Sequence, residues 1–112
     1  MEITKEKYDN VLVEIVNLER ATLKEAEQFK QNLIEDIKEG YKNLVVDLNS
    51  CEFIDSTFLG ALVVSLKKAT SLGGDLKLVG FQPAVNSMFE LTRLHRVFET
   101  FKSREDAVAS FN

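Results

Sequence analysis

Short apolar runs alternate along this chain with longer stretches in which apolar residues recur every three or four positions. The runs are Val11 to Val16, Leu44 to Leu48, Leu76 to Val79 and Val97 to Phe101, rich in β-branched and large apolar side chains. Runs of that length and composition predict strands. After them come Ala26, Phe29, Leu33 and Ile37; then Leu59, Leu62, Val63, Leu66 and Ala69; then Val85, Met88, Phe89 and Leu91; and last Ala107, Val108 and Phe111. Those spacings put each set on one face of a helix. Ile3 falls in a short partner strand, with Tyr8-Asp9-Asn10 as the turn before the first run. The order is therefore β(β)αβαβαβα, and such alternation implies an α/β domain whose sheet is covered by helices. Parallel neighbours are then joined by right-handed crossovers.

The punctuation agrees. Thr22 followed by Glu25 forms a capping box at the start of the first helix, and Gly40 suits its end. Gly73-Gly74 closes the second helix, Pro83 opens the third, and Ser103 with Asp106 caps the last. A chain of 112 residues with one proline, no repeat and no linker reads as one domain over residues 1–112.

Composition removes several function classes. The net charge of −4, with lysines scattered apart from Lys67-Lys68, gives no concentrated basic surface for nucleic acid. A single cysteine, Cys51, allows no internal disulfide and fits a reducing compartment. We read it as a small semi-buried residue at a strand end. The N-terminus lacks an apolar signal core, and no apolar run approaches the ~18 residues of a membrane span. The expectation is a soluble, cytoplasmic monomer that touches neither nucleic acid nor membrane. The glycines form no phosphate-cradling loop. One Cys and one His cannot close a four-ligand zinc site, so no metal and no cofactor is expected.

One segment places polar groups inside the most apolar part of the chain: Phe53-Ile54-Asp55-Ser56-Thr57-Phe58-Leu59-Gly60. Asp55 or Ser56 at a helix start satisfies amides that have no intrahelical acceptor, and an acid there complements the helix dipole. The same position is a favourable place for a phosphorylated hydroxyl, because free N–H groups and the dipole welcome negative charge. Loops after strands in alternating folds also gather at one edge of the sheet, where sites form. A catalytic reading pairs Ser56 with Asp47 or Asp55, as in a small hydrolase. The two acids are eight residues apart, the only histidine is His95, and neither a base nor an oxyanion hole is evident. No catalytic residue is assigned.

The run from Asn43 to Gly80 resembles the core of a STAS domain (sulfate transporter and anti-sigma factor antagonist). It resembles in particular the small stand-alone bacterial anti-sigma factor antagonists. The likeness is carried by the strand-Asp-Leu pattern at Val45 to Leu48, the Asp55-Ser56-Thr57 turn, Leu59-Gly60, and Gly73 to Val79; Pro83, Val85, Met88 and Phe89 resemble the segment that follows. The resemblance implies a four- to five-stranded mixed sheet with about four helices largely on one side. It implies a regulatory protein, not an enzyme, that acts by partner switching. Its partners would be an anti-sigma factor that is also a serine kinase, and a cognate phosphatase. The phosphorylated serine falls on Ser56, with Thr57 as the alternative, and Asp55 matches the acid that positions the site. Asp55, Ser56, Thr57 and Phe58 form the expected partner-binding surface. The chain departs from the pattern at two places. Phe58 stands where relatives commonly have glycine; as an exposed anchor or as core, both readings stay open. Glu19-Arg20-Ala21-Thr22 stands where relatives often have glycine and aspartate, so no contact is carried over there. A scaffold of the same fold that binds its partner without phosphoryl control is the alternative.

Overall fold

In the computed structural model, which describes residues 2–112, the expected alternation becomes a five-stranded mixed sheet of order β1-β2-β4-β6-β7. Its strands are β1 (Ile3–Tyr8), β2 (Val11–Val16), β4 (Asn43–Asp47), β6 (Asp75–Val79) and β7 (Thr100–Phe101). β1 runs antiparallel to β2 through a turn at Asp9, which takes a left-handed φ of 53°. The other neighbours are parallel, so each needs a crossover. The crossovers are α1 (Leu23–Lys38), α2 (Ser56–Ser71) and α3 (Pro83–Leu91); α4 (Arg104–Ala109) ends the chain.

The strands β4 and β6 are buried on both faces, which is why they read as continuous apolar runs rather than alternating ones. Leu12, Val16, Leu44, Val46, Leu76 and Leu78 pack against the crossover helices. Val11, Val13, Val45 and Val79 form a second, smaller cluster with Ala107 of α4. The helices thus lie largely on one side, as expected, with α4 alone on the other. Ala26, Phe29, Leu33 and Ile37 are all buried along α1. Gly40, at φ 107°, follows that helix in the left-handed conformation a C-terminal cap requires.

Three details differ from the expectation. The run Val97 to Phe101 is not one strand. A 3-10 turn at Leu94–Arg96, entered through Arg93 at φ 62°, occupies the preceding chain, and only Thr100–Phe101 pairs with β6. Phe98 instead turns inward and meets Phe89 edge-on at 6.0 Å. Leu91 is not on the apolar face of α3 but 79% exposed. It lies six positions from Val85, well off the stripe that Val85, Met88 and Phe89 share. Finally, β3 (Arg20–Ala21) and β5 (Phe53–Ile54) form a separate two-stranded parallel ladder. Two residues are too few to show a period, so no sequence pattern announced it.

Candidate functional site

The small ladder is reached from the carboxyl ends of β2 and β4, and it delivers two helix starts to one place. Arg20 pairs with Phe53 and Ala21 with Ile54. The Asp55 amide then donates to the Ala21 carbonyl at 3.1 Å, carrying the register one residue further. Directly beyond lie Thr22, which caps α1, and Asp55, which caps α2.

Asp55 serves both helices. Its Oδ1 accepts from the Phe58 amide of α2 at 2.9 Å, and its Oδ2 accepts from the Leu23 amide of α1 at 2.8 Å. A carboxylate between two helix N-termini, each worth roughly half a positive charge, is electrostatically well matched. The sequence pointed to Asp55 as a cap, but the second helix it holds is 32 residues away in the chain and carries no local signal. Thr22 completes the arrangement with the expected capping box: its amide donates to Glu25 Oε1 at 3.0 Å, and its hydroxyl accepts from the first turn.

Ser56 and Thr57, the first two residues of α2, are both exposed. Their amides have no intrahelical acceptor by position. Thr57 also lines a shallow groove between α1 and α2 with Leu23, Lys30, Gly60 and Val64. Phe58, by contrast, is fully buried at 0% exposure and stacks on Phe29 at 4.7 Å. The structure decides its open reading for the core. The third position of α2 points back into the α1–α2 seam, so the ring has no surface to offer a partner, and Phe58 is removed from the expected partner-binding set. The Arg20 guanidinium lies over the Phe53 ring at 4.3 Å, and Leu23 at the start of α1 is 67% exposed.

The residues proposed for a hydrolytic dyad are not free. Asp47 is buried, pairs with Arg104 and accepts from the Asn49 amide at 2.9 Å. Asp55 is committed to two amides, and His95 contacts the Phe89 carbonyl at 3.3 Å. Cys51 is buried, and burial together with the Asp47 charge pushes its thiol up to about 12, which suits an inert core residue. Among the described residues no cluster of His, Cys, Asp and Glu could hold a metal ion, and no helix is long and apolar enough to cross a membrane.

Comparison with known proteins agrees with this architecture. The STAS domain family profile matches residues 3–107. A protein of Bordetella bronchiseptica named as an anti-sigma factor antagonist, BtrV, is 29% identical over 115 residues, covering 99% of this chain and 95% of its own. The crystal structure of a Thermotoga maritima protein, likewise named as an anti-sigma factor antagonist, superposes with a TM-score of 0.87 at 26% identity, covering 96% of this chain and 92% of that one. The phosphorylated form of the Bacillus cell-fate determinant SpoIIAA shares the fold, with a TM-score of 0.76, 15% identity, and coverage of 98% and 99%.

Proposed function

This chain belongs to the STAS domain family, and from that premise we propose that it is an anti-sigma factor antagonist switched by phosphorylation at Ser56. Unmodified, it docks an anti-sigma factor that is also a serine kinase; the phosphate on Ser56 releases that partner, and a cognate phosphatase resets it. The observation that carries the reading is the placing of Ser56: an exposed hydroxyl at the first position of α2, directly after an aspartate whose two oxygens are already occupied.

The physics supports a switch at that point. A phosphate adds about −1.5 to −2 charges at neutral pH. At a helix N-terminus that charge is tolerated, so the domain stays folded. A partner packed over Ser56 is treated differently. The dianion would sit beside the Asp55 carboxylate in a closing, drying interface, and a penalty of about 3 kcal/mol weakens binding ~100-fold. Thr57 is the alternative acceptor one residue on, facing the α1–α2 groove. Partner contact belongs to Ser56 and Thr57, while Asp55 acts by holding the two helix starts together. ATP and its magnesium belong to the kinase, and the whole exchange takes place in the cytoplasm, with this chain a monomer between partners.

Phosphopeptide mapping of the protein from its own cells, in growth and under stress, tests the reading. We expect one phosphate on Ser56 whose occupancy changes with condition. No phosphate on Ser56 or Thr57 in any condition, with phosphatases inhibited, replaces the switch with an unmodified binding scaffold.

A further inference from the structure

A polar cluster interrupts the apolar seam between α1 and the sheet. Lys5 of β1, Glu14 of β2 and Val46 of β4 stand side by side across the strands, and Asp36, in the last turn of α1, closes over Lys5 and Glu14. Glu14 is 0% exposed and Asp36 5%. Lys5 Nζ donates to Asp36 Oδ1 at 2.8 Å. Asp36 Oδ2 and both carboxyl oxygens of Glu14 are buried, and none has a donor among the described residues. The surroundings offer no second cation. Glu39, just past the end of α1, acts on Lys5; Lys7, next on this face of β1, lies over the Tyr41 ring at 5.0 Å; β4 presents only Leu44 and Val46 here. Two ionised carboxylates against one ammonium leave three dry oxygens and an unbalanced charge, which burial penalises heavily. One proton removes most of that penalty. A Glu14 O–H then donates to Asp36 Oδ2, Lys5 balances the remaining charge, and a single neutral carbonyl oxygen is left over. Burial, and then Asp36, push the Glu14 pKa up to about 9, so the proton is held at neutral pH.

We propose that Glu14 and Asp36 share one proton, and that this proton, with Lys5, latches the last turn of α1 to β1 and β2. Its loss puts a second negative charge beside one ammonium, and the latch opens locally, because water then reaches both carboxylates. The two ends of α1 respond differently. The start is tied by Asp55 to the Leu23 amide and stays closed, while the end of α1 parts from β1. The latch is closed below the raised Glu14 value and opens as pH rises through about 9. It is independent of any modification at Ser56.

The test is a carbon-13 titration of the side-chain carboxyls in the full chain, labelled at Glu and Asp, between about pH 4 and about pH 10, with amide shifts followed in parallel. One Glu signal, identified by its absence from Glu14→Gln, is expected to keep its protonated shift through neutral pH and to change only towards about 9. The Asp36 signal moves in step with it, as a shared proton requires. Over the same rise, amides of residues 3–7 and 33–39 shift and those of residues 23–26 do not. In Asp36→Asn, which removes the charge at nearly constant volume, the Glu14 midpoint falls by at least about one pH unit, whereas burial alone would hold it in place. In Lys5→Met the midpoint rises, because the ammonium favours the ionised form. Should Asp36→Asn lose its dispersed spectrum, the paired movement of the two signals in the unaltered chain decides in its place. A Glu14 signal titrating near the ordinary value of 4.5 overturns the proposal. So does an Asp36 signal that stays still, an unchanged midpoint in Asp36→Asn, or alkaline amide shifts spread evenly over the chain. A Glu14 signal that moves when sodium is exchanged for tetramethylammonium at fixed pH also overturns it, by putting a metal cation in the proton's place.

Discussion

Asp55 holds the amides of Leu23 and Phe58 with one oxygen each, so its removal strands one donor at the start of each helix. Asp55→Ala is expected to lower stability by about 1–3 kcal/mol, read as a lower urea midpoint at unchanged slope. A loss no greater than that of an exposed surface change would show that the two caps carry no load. Phe58 acts through packing instead. Phe58→Ala removes a buried ring stacked on Phe29 and should cost about 3–5 kcal/mol. A variant of full stability but reduced partner affinity would return Phe58 to the surface role that its burial denies. Cys51, with its thiol pushed up to about 12, should not react with a chromogenic thiol reagent at pH 8 until the protein unfolds. The acid, hydroxyls and ring of this segment were all legible as a helix start. What the local sequence could not supply was the direction of Phe58, because a third helical position faces core or solvent according to which helix lies beside it.

At the scale of elements, α4 depends on its attachments. Six residues are too few to form a stable helix alone. Arg104 at its start pairs with buried Asp47 at the end of β4 and with Glu6 of β1 at 3.4 Å. Near its end, Lys77 of β6 donates to Ser110 Oγ at 2.7 Å and lies 4.2 Å from the Phe111 ring centroid. Arg104→Met leaves the Asp47 carboxylate buried without its counter-ion and is expected to destabilise by about 3 kcal/mol or more. Hydrogen exchange should then show α4 amides opening before those of β4. Uniform exchange across both would mean that Arg104 is not the attachment. The cap of α4 at Ser103 and Asp106 was readable from spacing, and the Asp106 amide donates to the Ser103 hydroxyl at 3.1 Å. The salt bridge that seats the helix joins residues 57 apart and has no sequence signature. The same holds for the β3–β5 ladder, where two-residue strands pair only because longer elements bring them together.

For the whole molecule, one buried acid sets a pH dependence. Glu14 lies on the helix-facing side of β2 at 0% exposure, and neither of its carboxyl oxygens has a hydrogen-bond partner among the described residues. Burial, and then the Asp36 carboxyl beside it, push its pKa up to about 9, against a smaller opposing pull from Lys5. The folded state therefore keeps a proton that the unfolded chain releases near the ordinary value of 4.5. The sign follows from that difference: the contribution is full below the ordinary value and is lost as pH rises towards about 9, at no more than about 1.4 kcal/mol per pH unit. Glu14→Gln should raise the melting temperature at pH 8 by several degrees and flatten its alkaline decline. A decline of the same steepness in the variant would assign it to other groups. Taken together, the sequence by itself determined the alternation of strands and helices, the positions of the caps and the Asp55-Ser56-Thr57 helix start, because each rests on residues within a few positions of one another. Packing alone settles that Asp55 joins two helices, that Phe58 is core and that Arg104 seats α4 on Asp47. Each of those depends on which distant groups have already been satisfied, and that is settled only when the elements pack.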